Sequence, residues 1–257
     1  KAKNIKINKG GLMTDKQEIF ILIDDSGKFN INEYSCIYGG LFFYCSKEYM
    51  NFINKYKSVI KSLRCKYCHK KDNCNKKCIE IKGTTKIKSS DKRRIFNLLK
   101  QQNNFGVFVN NHNIYSSIIN SKPSRGRYID YAQKRIIKEI ILYSIINKKI
   151  DVSKPLYLYI KSDECSSKSN GYYNLKESIY EELVNGIINF DYSMIHKPIL
   201  KSSLVIDYRT YNSAYHYGIQ GADFIAHYLH GEYNNYLING KDISNATSFI
   251  EVKLFLP

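Results

Sequence analysis

Every residue from Ile19 to Ile23 is apolar, and the run stops at Asp24-Asp25-Ser26-Gly27. A short, unbroken apolar run bounded by turn residues predicts a buried strand. Cys36 to Tyr44 predicts a second strand, in which Gly39-Gly40 marks a bulge or a close backbone approach. Between residues 47 and 64 the apolar positions are Tyr49, Phe52, Ile53, Tyr56, Val59, Ile60 and Leu63, a helical spacing. Lys92 to Leu99 predicts a short helix, and Phe105 to Val109 a third strand. Ile129 to Ile146 predicts a long helix with Ile129, Ala132, Ile136, Ile137, Ile140 and Ile141 on one stripe. Leu156 to Ile160 predicts a strand running into Ser162-Asp163-Glu164. A helix over Leu175 to Ile188, a short strand over Leu204 to Ile206 and a helix over Ala214 to His230 follow. Strands come early and alternate with helices later, which points to an α/β fold, a mixed sheet with helices on its faces. No internal repeat or long linker divides the chain. One domain is expected over residues 15–235, interrupted by an insertion at 62–79 and followed by a C-terminal extension at 236–257.

Charge changes this picture. The net charge is +17 over 257 residues. An AT-rich codon bias would spread lysine evenly, but Lys55 to Arg94 holds fifteen Lys or Arg against three acids, and Asp191 to Pro257 five against six. Concentrated positive charge attracts a polyanion, because neutralised phosphates release their counterions. The expected partner is therefore nucleic acid, RNA or DNA. Lys122, Arg125 and Arg127, near Pro123 and Gly126, form a smaller basic loop, either a backbone contact or a solvated face. No stretch reaches the roughly 20 apolar residues of a membrane span, and no apolar signal core follows the basic N-terminus. The expected setting is the cytoplasm, with Met13 a possible natural start.

Seven cysteines on a chain of this length do not form a disulfide framework pattern. Cys36 and Cys45 sit in the apolar strand run and are expected to be inert core. Cys65, Cys68, Cys74 and Cys78 place four thiols within fourteen residues. Four thiolates complete a tetrahedral structural Zn²⁺ shell, and a lobe with so few apolar residues needs such a cross-link to fold. An iron–sulfur cluster is the rival reading. Lys66, Tyr67 and Lys70 lie among the thiols, residue types that stack on a base and grip phosphate. The lobe is accordingly expected to guide substrate.

Four carboxylates stand where chemistry could use them. Asp24 and Asp163 end strands, Glu80 follows the last clustered cysteine, and Asp223 lies in the apolar, small-residue helix stretch Gly221-Ala222-Asp223-Phe224-Ile225-Ala226. An aspartate in that setting faces inward, where an unpaired charge is costly and a metal would satisfy it. Gln220 and His227 flank it one turn away on either side. Hard Mg²⁺ or Mn²⁺ prefers oxygen ligands, and two such ions about 4 Å apart can clamp the attacking and leaving oxygens of a phosphodiester. No nucleophile-elbow motif or Walker-type phosphate loop competes.

The runs Ile21-Leu22-Ile23-Asp24-Asp25-Ser26-Gly27, Glu80-Ile81-Lys82-Gly83, Ser162-Asp163-Glu164 and Gly218-Ile219-Gln220-Gly221-Ala222-Asp223-Phe224-Ile225-Ala226 together resemble the DUF3800 family over about Glu18 to Leu229. That resemblance implies an RNase H-like fold and a metal-dependent nuclease. Under it Asp24, Glu80, Asp163 and Asp223 are the metal ligands and Lys82 stands by the scissile phosphate; Gln220, one turn before Asp223, is expected from its helix position alone to orient the site and bind substrate. Asp25 replaces the family's usual Glu, and Lys161-Ser162 precede Asp163 where an apolar strand would lead straight into the acidic pair. Asp24 against Asp25, and Asp163 against Glu164, therefore stay open as ligands. The expected activity is two-metal phosphodiester hydrolysis of RNA or DNA. The alternatives are a non-catalytic nucleic-acid-binding module, a partner-dependent subunit of a defence or mobile-element system, and a transposase- or resolvase-like strand-transfer enzyme.

Overall fold

The computed structural model describes residues 16–67, 81–164, 174–189 and 194–257. Its elements are β1 (Gln17–Ser26), β2 (Ser35–Phe43), α1 (Ser46–Tyr67), α2 (Ser89–Lys100), β3 (Asn103–Asn110), α3 (Ser116–Ile119), α4 (Lys122–Ile146), β4 (Leu156–Asp163), α5 (Leu175–Tyr180), β5 (Ile187–Asn189), β6 (Met194–His196), β7 (Leu204–Tyr211), α6 (Tyr217–Asn239) and β8 (Val252–Leu256). Six strands form one mixed sheet in the order β7-β4-β1-β2-β3-β8, and β5 and β6 make a separate hairpin. β2 alone runs against the others, antiparallel to both β1 and β3. β4 lies parallel to β1, β7 to β4 and β8 to β3.

β1 is apolar at both parities because both faces of the sheet are covered. Ile19, Ile21 and Ile23 point to one face, where the stripe Ile129, Ala132, Ile136, Ile137, Ile140 and Ile141 of α4 packs with Leu175, Ile179 and Leu183. Phe20 and Leu22 point to the other, against residues of α1, α2 and α6. Each such fully buried side chain contributes about 1.5–3 kcal/mol relative to exposure. α6 lies close over β2: a Cβ on Gly39 would come within 2.9 Å of the Ala226 Cα, so only glycine admits the helix at this distance. Residues 236–239 complete α6, and β8 adds the strand beside β3.

Several expectations need correction. The helix expected to reach Ile188 leaves α-helical geometry after Tyr180, runs through a π-helical turn at Glu181–Asn185 and stops at Gly186, whose φ of 75° belongs to the left-handed region. The hairpin of β5 and β6 follows. β7 continues to Tyr211, beyond Ile206. The basic loop at Lys122, Arg125 and Arg127 is instead the start of α4, capped by Ser121 and entered through Pro123. Arg125 donates there to the Ile119 carbonyl at 2.5 Å. Cys36 is buried as expected, but Cys45 is only half-buried, between β2 and α1. Among the described residues no helix is long and apolar enough to cross a membrane.

Candidate functional site

The register of the two central parallel strands builds the site. Ile23 is level with Ser162, so Asp24 and Asp163 each follow one residue later on neighbouring strands. Alternation puts Asp24 on the face of Phe20 and Leu22, and Asp163 on the face of Tyr159 and Lys161, the side covered by α6. Asp24 also lies opposite Gly39, the residue over which α6 makes its close approach. Asp223 sits one turn before Ala226 on that helix and so reaches the same place.

Asp24 is 6% exposed, and its Oδ1 accepts the Asp25 backbone N–H at 2.8 Å. Burial, then the charges of Asp223, Asp163 and Asp25, push its carboxyl up to about 9. Burial, then Asp163 and Asp223, raise the half-buried Asp25 to about 6. Three elements thus crowd four carboxyl groups at one end of the sheet. Asp25 has the strand parity of Ile23 and lies across from Tyr38. Glu164 is exposed, its backbone N–H donating to the Tyr211 carbonyl at 3.1 Å.

A second layer of contacts fixes these acids. The Ser213 N–H donates to Asp163 Oδ1 at 3.0 Å, and the Gly83 N–H to Asp223 Oδ2 at 2.7 Å. Lys82 Nζ lies 3.5 Å from Ser213 Oγ, which brings its ammonium beside the carboxyl cluster. Gln220 is turned into the fold. It is 1% exposed, and its Nε2 donates to the carbonyls of Ser213 (2.7 Å) and Ala214 (3.3 Å), holding the turn that holds Asp163.

Lys66, half exposed, and Tyr67 also have partners within the fold. Lys66 Nζ and Tyr67 Oη both meet Asp91 Oδ2 at 2.5 Å, and Tyr67 Oη accepts the Lys88 N–H at 2.9 Å. They tie the end of α1 to the start of α2, and the Tyr67 hydroxyl is not available to substrate. Cys65 is exposed in the last turn of α1. Glu80, Lys70, His69, Cys68, Cys74 and Cys78 lie outside the described residues, and the four-cysteine lobe with them.

Two groups near the acids were not foreseen as site residues. Tyr56 is fully buried on α1, its Oη has no partner among the described residues, and burial, then the Asp223 charge, hold its hydroxyl well above the ordinary value. Lys161 is two residues before Asp163, and its Nζ donates to Tyr49 Oη at 2.8 Å. Burial lowers its pKa. Tyr56 occupies a core position of the α1 stripe and carried no distinguishing pattern in sequence, while Lys161 stood out only as a polar break in the strand before Asp163.

A comparison of the chain with family models and with curated proteins finds no match to either.

The donor chemistry of the acidic end suits a hard divalent cation. It consists of carboxylate oxygens, the ligand type such a cation prefers. Among the described residues, no three His, Cys, Asp or Glu side chains gather tightly enough to hold one ion. The described carboxyls are therefore electrostatic neighbours, and Glu80, the fourth expected ligand, falls outside the described residues.

Proposed function

We propose that the protein is a metal-dependent nuclease of RNase H-like architecture, related to the DUF3800 family, acting on the phosphodiester bonds of RNA or DNA. One observation carries this reading: adjacent parallel strands hold Asp24 and Asp163 level with each other on the face where α6 presents Asp223. Two features add support. A three-strand meander extended by parallel strands, with helices on both faces, suits the RNase H-like class. The basic helices α1 and α2 pack on the same face as the acids, so substrate phosphates are drawn toward them.

By the family resemblance Asp24, Asp163 and Asp223 would share Mg²⁺ or Mn²⁺ with Glu80, since no three of the described carboxyls lie close enough to hold an ion by themselves. Bound there, such ions lower the pKa of water and neutralise charge on the leaving oxygen. Ser213 and Gly83 orient Asp163 and Asp223 through their N–H groups. Lys82 adds positive charge beside the position of the scissile phosphate. The four-cysteine lobe remains proposed as a structural Zn²⁺ site that leads substrate to the rim.

The test is cleavage of labelled single-stranded RNA, single-stranded DNA, duplex DNA and RNA–DNA hybrid with Mg²⁺ or Mn²⁺, comparing the natural chain with Asp223→Asn. Cleavage reduced at least about a hundredfold in the variant, a loss on the order of 3 kcal/mol of transition-state stabilisation, with binding retained, is the expected result. Binding without cleavage on every substrate would overturn it in favour of a recognition module or a partner-dependent subunit. Cleavage confined to branched DNA would instead mark a strand-transfer enzyme.

A further inference from the structure

A cleft of about 440 Å³ opens between α2 and α6, immediately beyond the residue that holds Asp223. Gly83 is the hinge between the two places. Its N–H binds the Asp223 carboxylate at 2.7 Å, and its carbonyl accepts Lys92 Nζ at 3.0 Å on the cleft side. An ammonium has three donors, so Lys92 keeps two more for another acceptor. Arg93 follows it, exposed, with its guanidinium available for a planar anionic partner. The Phe96 and Tyr228 rings lie 4.4 Å apart at 47° and form an aromatic wall. Both are only partly buried. Glu232, one turn past Tyr228, lines the cleft as well and disfavours a phosphate at that end.

Paired cations at one end, aromatic faces beside them and a volume in the small-ligand range match the two halves of a nucleotide. We propose that this cleft seats one nucleotide of a single-stranded substrate, its base on the Phe96 and Tyr228 rings and its phosphate on Arg93 and Lys92. Resting on the nuclease reading, the seat is the subsite flanking the cleaved bond, and Gly83 couples its occupancy to the position of Asp223. A duplex base stays stacked on its neighbours and cannot enter, so the cleft selects single strands.

The experiment is fluorescence anisotropy of the full chain with labelled ten-nucleotide oligouridylate, oligodeoxyuridylate, an abasic strand of equal length and a matched duplex, in buffer without Mg²⁺ or Mn²⁺ so that no cleavage occurs. Arg93→Glu should weaken single-strand binding about tenfold more than Lys122→Glu, which changes net charge equally from the far face of the sheet. Tyr228→Leu keeps apolar volume and should cost about tenfold on intact strands and nothing on the abasic strand. A preference between the two intact strands identifies the sugar that the seat accepts. Equal effects of Arg93→Glu and Lys122→Glu, the same Tyr228→Leu loss on abasic strands, Arg93-dependent duplex binding of equal strength, or no binding by the natural chain would each overturn the proposal. Thermal melts confirm that each variant is folded. Arg93-dependent binding without metal-dependent cleavage would sink the nuclease reading and leave the seat standing; cleavage with Arg93-independent binding would do the reverse.

Discussion

Asp24 shows how one side chain can be costly to the fold and still be retained. It is buried among like charges, and its carboxyl is pushed up to about 9 from an ordinary 3.8. The folded protein therefore holds a proton that the unfolded chain releases at neutral pH, and that difference lowers stability. Asp24→Asn keeps an acceptor for the Asp25 N–H and removes the ionisation. Without added Mg²⁺ or Mn²⁺ at pH 7 the variant should be more stable than the natural chain by on the order of 1 kcal/mol. Thermal melts with increasing Mg²⁺ supply the second half of the test. The natural chain should gain stability by mass action, and the variant should gain much less. The same scale shows where residue type alone misleads. Tyr67 and Gln220 have the chemistry of substrate contacts, but the Tyr67 hydroxyl is taken by Asp91 and Lys88 and the Gln220 amide by the Ser213 turn. Which side chain meets which acceptor depends on how the chain turns back on itself, and composition does not record that.

At the scale of elements, α6 depends on how it starts. His216 is its N-cap, and its Nδ1 accepts the Ile219 N–H at 3.2 Å. Burial, with the Lys161 charge added, holds the imidazole down at about 4 from an ordinary 6.5. Below its ordinary value the unfolded chain takes up a proton that the folded protein refuses, so stability falls as pH drops from 6.5 toward 4. His216→Asn supplies a cap that does not titrate and should flatten this part of the profile. Denaturant midpoints measured across that interval check it. β1, β2, β3 and α4 were legible because a long apolar pattern matches one period over several turns or pleats. The end of α5 was not: apolar residues continue to Ile188 while Gly186 turns the backbone. β7 was undercounted because it is an edge strand, and Asp207 and Arg209 interrupt its apolar signal.

At the scale of the whole molecule, the densest basic stretch lies beside the acidic centre. The basic excess near Lys55 to Arg94 includes α1 and α2, which share a face with the acidic centre, while α4 and α5 cover the other. A positive field beside a negative centre lets phosphates approach from the flanks. Single-strand affinity should therefore fall about tenfold or more as salt rises from roughly 50 to 200 mM. A flat salt titration would show that the basic helices do not contact the backbone.

The α/β class, the central strands, the long helices and the basic stretch are properties of the sequence alone, since periodicity and net charge are local quantities that need no partner. The carboxyl positions could also be named there, because an acid that interrupts an apolar run stands out. Only tertiary structure decided that Asp24 and Asp163 end level on parallel neighbours, that Gly39 admits α6 close enough to bring Asp223 over them, and that Lys92, Arg93, Phe96 and Tyr228 meet in one cleft. Those juxtapositions follow from strand order, register and helix approach. Each joins residues far apart in the chain, and no pattern within one segment encodes them.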